Sequence, residues 1–364
     1  MGRARDWRCA VRVLRRENSG ASRVLHDRLR RHYTIPILCL LLAACSHPAP
    51  KVTAEQQTEL RDSWLVALQS DVERLAGADG FQGTVRAVHA GKVELDRQFG
   101  DVHCLPIGYG RRVLATLAVA SLVDEGKMHF DDRVTQVLPA LRGTSFDALA
   151  VSDLLVNTAN LAPTKGGTVE ESLAAAARVP LLASPGTRTD PGDPRPWLLV
   201  EQVVAAAGGQ PFATQVQERI LQRAGTTATS VGPTADCPQA SAGVTTALDQ
   251  MRIADALRTG KLVQPATRDQ LLRPRLELAP GIASGLGFTV RTGDNNGQAV
   301  GLGSSGTLSA YELWFDPGSG DTVALVGSST SKAAQSVKAA VTEFFGLPPP
   351  PPHIGSSPTR PKTH

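Results

Sequence analysis

Residues 110–126 read GRRVLATLAVASLVDEG, an apolar run that begins behind two arginines and stops at a glycine. Leucine, alanine and valine at helical spacing favour a helix, and a glycine just after the last turn is a common helix end. The stretch therefore predicts the best-defined helix of the chain, which ends at Gly126.

Strand patterns lie on both sides of this helix. Residues 81–100 form two β-rich runs around a short turn and predict a β-hairpin. Four period-two segments follow Pro280, at 285–292, 298–303, 308–315 and 321–328. Because an isolated hairpin is marginally stable in water, we expect all of these strands to complete one antiparallel sheet.

Helical patterns fill the region between the hairpin and the late strands, from about residue 128 to residue 275. Further apolar periodicities at 54–76 and 331–345 predict helices at the two ends of the domain. The predicted fold class is α/β, of the α+β type. An antiparallel sheet is covered by helices on both faces, and a mostly helical second lobe is added to it.

The first 44 residues have the pattern of an export signal. A cluster of arginines precedes a short apolar run, which ends in Leu-Ala-Ala-Cys at 42–45 and is similar to a bacterial lipobox. We expect residues 1–44 to be a signal peptide with an over-extended start. Cys45 would then be lipidated and would anchor the protein to the membrane. Ser46 favours the periplasmic face of the outer membrane in a Gram-negative cell.

The rest of the chain divides into a lipidated tether at 45–53, one domain at 54–346 and a proline-rich, disordered tail at 347–364. Ten of the 38 basic and three of the 34 acidic residues fall in the first 44, so the remainder carries a net charge near −3. Nucleic-acid binding needs a basic face on the folded part, and a nucleic-acid partner is therefore not expected.

Cys104 and Cys237 are the two cysteines that neither leave with the signal peptide nor take lipid. An exported location permits them to form a disulfide, and two separate thiols are the alternative. The sequence has no CxxC, HExxH or local cluster of histidine and cysteine. No metal and no cofactor are therefore expected.

Several phrases of the domain occur in a recognisable order. They are LATLAVASLVDEGKMHFDDRVTQVLPAL (114–141), LLVNTANL (154–161), PGTRTDPGD (185–193), GLGF (285–288) and ELWFDPGSGDTVALVGSS (312–329). The series resembles the serine β-lactamase and penicillin-binding-protein superfamily, specifically its class C and esterase-like branch. The resemblance covers residue 80 to about 345. It implies a β-lactamase/DD-peptidase-like fold and a serine hydrolase ancestry.

The catalytic motifs of that family are altered in this chain. The family's SxxK falls on IGYGRR (107–112), which places Tyr109 at the serine position and Arg112 at the lysine position. Its YxN falls on Pro191, Gly192 and Asp193, and its sheet-edge histidine or lysine falls on Leu302. Acyl transfer needs a small hydroxyl activated by a titratable base, and arginine stays protonated near neutral pH. The resemblance therefore implies a site without working catalytic residues.

The same positions are candidates for binding. Tyr109, Arg111 and Arg112 at a helix N-terminus favour a carboxylate or phosphate, with Asp193 close by. In the alternative interpretation, Arg112 pairs with Asp190 or Asp193 and fills the former cleft with structure.

Three functions follow from the sequence. The preferred one is an exported, lipid-anchored, catalytically inactive protein that binds cell-wall fragments or an envelope protein. The second is an active serine hydrolase, a β-lactamase, DD-peptidase or esterase with a non-standard nucleophile. The third is an envelope scaffold without a small ligand. The one SxxK in the chain, Ser329 to Lys332, follows the last strand, and a match of this kind is expected by chance.

Overall fold

The structure is a computed structural model. It describes residues 66, 69, 70, 72–74, 76, 77, 80–164, 167–190, 192–292, 298–303 and 310–328, with the side chains of 298, 299, 302 and 303 left undescribed. All of these residues belong to one unit, Asp62–His364. The predicted signal peptide, Cys45, the predicted tether, the predicted helix at 331–345 and the predicted tail lie outside the described residues.

One antiparallel sheet forms the centre of the fold. Its eight described strands lie in the order β2-β1-β8-β7-β6-β5-β4-β3. They are β1 Gly83–His89, β2 Lys92–Phe99, β3 Leu276–Ala279, β4 Ile282–Ser284, β5 Thr289–Thr292, β6 Gln298–Gly303, β7 Ala310–Phe315 and β8 Thr322–Gly327. Each strand pairs antiparallel with its neighbours, so the early hairpin and the late strands do complete one sheet.

Helices supply the rest of the described fold. They are α1 Gly110–Asp124, α2 Val134–Val137, α3 Val151–Leu155, α4 Val169–Ala176, α5 Arg195–Gly208, α6 Phe212–Val216, α7 Gln222–Ala224, α8 Ala247–Arg258 and α9 Pro265–Leu271. A π-helical segment, Gln217–Leu221, joins α6 to α7, and short 3-10 turns occupy Pro139–Leu141 and Ser145–Ala148. The predicted α+β class is confirmed.

Both faces of the sheet are buried at its central strands. The face that carries Tyr311, Leu313 and Val326 joins the large core around α1. The opposite face, with Val323 and Leu325, packs with Val72 from the helical residues before β1. All side chains of β7 and β8 are buried, which is expected for central strands of a sheet covered on both sides.

Helix α1 ends as its sequence predicts. Gly126 adopts a positive φ of 68°, its N–H bonds to the carbonyl of Val123, and the N–H of Lys127 bonds to that of Leu122. These two bonds form the glycine-dependent end that satisfies the last helical carbonyls. Eleven of the fifteen residues of α1 are buried, so the helix lies inside the core and fixes where its N-terminus points.

The sheet differs from the prediction at one end. The hairpin of β3 and β4 was not predicted, because its strands have four and three residues around Pro280 and Gly281. Residues 285–288, predicted as strand, form a bend instead, in which Gly287 has a φ of 74°. A Cβ on Gly287 would lie 2.6 Å from Cγ2 of Thr116, so glycine permits the close approach of this bend to α1.

Candidate functional site

The N-terminus of α1 is held in place by the preceding loop. Pro106 forms a β-bridge with Val244, and the N–H of Ile107 donates to the carbonyl of Gly243 at 3.0 Å. Gly110 lies against the ring of Tyr311, where a Cβ would come within 2.9 Å of Cε2. The first turn of α1 therefore packs directly on the sheet, which fixes the position of its backbone.

Tyr109 and Arg112 contact each other at this helix start. The guanidinium carbon of Arg112 lies 4.2 Å from the ring centre of Tyr109 and 5.2 Å from the ring centre of Trp197 on α5. Such cation–π contacts contribute about 0.5–2 kcal/mol each, depending on how far the cation is desolvated. The sequence analysis did not identify Trp197, because only the packing of α5 against α1 brings it here.

The charge of Arg112 is partly shielded from water. Burial lowers the pKa of Arg112 from its usual value, and Tyr109 and Asp193 nearby oppose that shift. Arginine begins with a pKa above about 12 and is not deprotonated in proteins. Arg112 therefore keeps a positive charge at the helix start, at the position to which the sequence resemblance assigned the family's lysine.

Asp193 forms an ion pair with Arg195, two residues further on. The oxygens of Asp193 accept from Nε and Nη2 of Arg195 at 2.9 and 2.7 Å. Both side chains are about nine-tenths or more buried, and Arg195 also donates to the carbonyl of Ala162. The charge of Asp193 also acts on Arg112, and the interpretation in which Arg112 pairs with Asp190 or Asp193 stays a prediction.

Arg111 points to different partners. Its Nε and Nη2 donate to the two carboxylate oxygens of Glu201 at 2.5 and 2.7 Å, and Nη1 donates to the carbonyl of Ala242 at 2.8 Å. The guanidinium also lies 5.3 Å from the ring centre of Phe212. Arg111 therefore links α1 to α5 and to the loop before α8.

The two other altered motifs are placed only in part. Pro191 lies outside the described residues. Leu302 lies in β6 opposite Leu313 of β7, and its side chain is outside what the structure describes. A hydrogen bond connects the turn before Asp193 to Asn157, whose side-chain amide donates to the carbonyl of Asp190 at 2.6 Å.

Asparagines occupy two positions of LLVNTANL (154–161), one of the phrases that carry the family resemblance, and hold a defined backbone there. Asn157 and Asn160 have φ values of 65° and 50°, a region that asparagine tolerates better than most residues. The amide of Asn160 donates to the carbonyls of Thr158 and Ser184. The backbone of this loop is therefore well defined.

A disulfide joins Cys104 to Cys237, with their Cα atoms 5.7 Å apart. Their sulfur atoms and a ring nitrogen of His103 all lie within 4.8 Å of one another. The sequence did not indicate this cluster, because 133 residues separate the two cysteines.

An open cavity of about 510 Å³ lies beside the first turn of α1. Its walls include Arg112, Trp197 and Glu201, and Val169 at the start of α4 lies on its border. Ser241 is the one serine among the described residues that line it. Within the described part of the chain, no serine hydroxyl forms a hydrogen bond with a lysine, histidine or tyrosine side chain.

The sheet with α1 on one face, and a helix start beside a cleft, define the class of penicillin-recognising serine hydrolases. A family profile described as Beta-lactamase matches residues 112–343. The chain belongs to the β-lactamase family, and the resemblance seen in the sequence is confirmed.

Solved structures with similar folds are named for related hydrolases. A penicillin-binding protein from Bacillus halodurans has a TM-score of 0.63 and 18% identity, covering 77% of this chain and 99% of its own. A D-stereospecific amidohydrolase from Streptomyces sp. has the same TM-score and identity, with 78% and 99% covered. A putative β-lactamase from Bacteroides dorei DSM 17855 has a TM-score of 0.63, 16% identity and the same coverage. No curated protein sequence matches this chain.

The ion pair of Asp193 gives a prediction for stability. We expect Asp193→Ala to lower the free energy of unfolding by about 3 kcal/mol, because Arg195 would remain buried without its carboxylate. Glu73→Ala is the matched control, since Glu73 pairs with Arg97 at a site where both side chains are 40% or more exposed. It should cost about 1 kcal/mol or less. Urea denaturation measures both, and equal losses would contradict the assignment.

Proposed function

We propose that this member of the β-lactamase family is an exported, lipid-anchored binding protein that does not catalyse acyl transfer. One observation carries the proposal: the guanidinium of Arg112 is stacked between Tyr109 and Trp197 where the family places its lysine base. The phenol of Tyr109 stands at the same helix start, where the family places its serine.

Acyl transfer by this family requires groups that act together. A nucleophile is activated by a neighbouring base, and losing members of such a unit costs orders of magnitude in rate. Arg112 supplies no base, and Asp193 is neutralised by Arg195. The remaining serine hydroxyl at the cavity, that of Ser241, has no lysine, histidine or tyrosine partner among the described residues.

The cavity supports a binding role. At about 510 Å³ it has the size of a small-molecule site, and it combines the aromatic wall of Trp197 with the positive charge of Arg112. The similar structures are named for penicillin binding and for D-stereospecific amide hydrolysis. We therefore propose cell-wall fragments that carry a D-amino acid carboxylate as its ligands.

The proposed export and membrane anchoring rest on the lipobox-like residues 42–45. Within the described residues, no helix combines the length and apolar character that crossing a membrane requires. Lipid on Cys45 would supply the anchor.

A turnover assay tests the loss of catalysis. Full-length protein is incubated with nitrocefin and with a p-nitrophenyl ester beside an active β-lactamase, and we expect no rate above the uncatalysed background. Ser241→Ala serves as the diagnostic variant. Turnover that this substitution abolishes would identify Ser241 as a nucleophile and would contradict the proposal in favour of an active hydrolase.

Binding is tested at the border of the cavity. We expect Val169→Glu to weaken muropeptide binding by about tenfold or more, because a carboxylate would repel the ligand and narrow the entrance. Val179→Glu is the matched control, since Val179 is equally exposed, at 39% against 40%, and does not line the cavity.

Isothermal titration calorimetry with a purified muropeptide measures the affinity of both variants and of the unmodified protein. No binding by the unmodified protein, together with a stable protein partner on crosslinking in the envelope, would favour the scaffold alternative. Equal affinity of the two variants for the muropeptide would show that the ligand does not bind in this cavity.

The membrane anchor gives a separate prediction. In bacterial cells, Cys45→Ser should move the protein from the membrane fraction to the soluble fraction and abolish incorporation of labelled fatty acid. Cys39→Ser, inside the apolar run of the signal, is the control and should leave both unchanged. Membrane association that survives Cys45→Ser would contradict lipidation at this residue.

A further inference from the structure

Three side chains with metal-binding atoms meet at the loop before α1. The sulfur atoms of Cys104 and Cys237 and a ring nitrogen of His103 lie within 4.8 Å of one another. Cys237 is 2% exposed, whereas His103 is exposed. In the structure the two sulfur atoms are joined as a disulfide.

We infer that the reduced form of this cluster binds one divalent transition-metal ion such as Zn²⁺ through two thiolates and the imidazole of His103. Thiolate and imidazole are the ligands that zinc prefers, and a site of two cysteines and one histidine leaves a fourth position for water. The inference concerns a place outside the cavity and does not depend on the function proposed for it.

The chemistry balances with a dithiol as the reductant. The dithiol gives two electrons and two protons to the bond between Cys104 and Cys237, and it becomes a disulfide itself. Both protein thiols then lose their protons as the thiolates bind the ion, and neutral His103 donates a ring lone pair. Oxidation by a disulfide of the same class reverses these steps and releases the ion.

The geometry requires only small movements. Zinc–sulfur distances of about 2.3 Å place two thiolates about 3.8 Å apart in a tetrahedral site. The sulfur atoms move apart once their bond is broken, and the imidazole nitrogen, which lies within 4.8 Å of both, approaches them to reach its own bonding distance. The ring of His103 forms no hydrogen bond or ion pair within the described part of the chain, so no such bond has to break when the ring moves.

Other bonds hold the two loops together when the disulfide opens. The N–H of Thr245 donates to the carbonyl of Leu105 at 3.1 Å, next to the bridge between Pro106 and Val244. The N–H of Cys237 donates to a hydroxyl within its own loop at 3.1 Å, and the N–H of His103 donates to a nearby carboxylate at 3.0 Å. The ligands thus stay near one another in the reduced protein.

Cobalt spectroscopy tests the inference without an activity assay. Full-length protein is reduced with a dithiol, freed from the reductant under argon and titrated with Co²⁺. We expect one equivalent to give thiolate-to-cobalt charge-transfer absorption and the visible bands of tetrahedral cobalt. One equivalent of Zn²⁺ should displace it, and the oxidised protein should show neither band.

Variants of the histidine separate this site from adventitious thiol binding. Loss of an outer-shell partner alone costs about 10- to 100-fold in metal affinity, so His103→Ala should weaken Zn²⁺ binding by at least about tenfold. His103→Cys should restore tight binding with stronger charge-transfer absorption. His129→Ala, which removes another exposed histidine, should leave the affinity unchanged.

Three results would overturn the inference. The reduced protein gives no charge-transfer absorption with Co²⁺, or His103→Ala binds Zn²⁺ as tightly as the unmodified chain. In the third, reduction abolishes the circular dichroism of the folded protein and Zn²⁺ does not restore it.

Discussion

The guanidinium of Arg112 contacts the rings of both Tyr109 and Trp197. Arg112 and Trp197 line the cleft beside α1, so this contact forms part of its wall. The contact joins the start of α1 to α5 and holds a partly buried cation at the position that we propose for the family's base. The negative charge of Asp193 partly offsets the charge of Arg112, and Asp193 itself forms an ion pair with Arg195. These interactions make the start of α1 part of the packing of the domain.

The scaffold around the site is maintained by different residues from those that would serve catalysis. Backbone conformations with positive φ at Asn157 and Asn160 shape the loop that carries them, and Asn157 hydrogen-bonds to the carbonyl of Asp190 in the turn that leads to Asp193. The glycine-dependent end of α1 and the close packing of Gly110 on Tyr311 fix the helix position. Because the backbone of this site depends on residues other than the proposed motif positions, the β-lactamase fold by itself does not fix the activity of the chain.

The sequence allowed the principal helix, the early hairpin and most of the late strands to be predicted, because periodicity and glycine positions act locally. Strands β3 and β4 were too short for a period-two pattern to identify them. At the site, Tyr109 and Arg112 were found from motif order. Their partner Trp197 was not, because only the fold brings together residues that are far apart in the chain. The partner of Asp193 was missed because the sequence offered no reason to prefer Arg195 over Arg112.

The proposed loss of catalysis requires that Tyr109 and Arg112 form no covalent acyl intermediate. Intact-protein mass spectrometry after incubation with a penicillin and, separately, with a fluorophosphonate tests this most directly, because it detects a single modification without turnover. The account predicts that the mass of the folded protein stays unchanged with both reagents. One adduct per chain that forms on the folded protein, and that prior denaturation prevents, would contradict it.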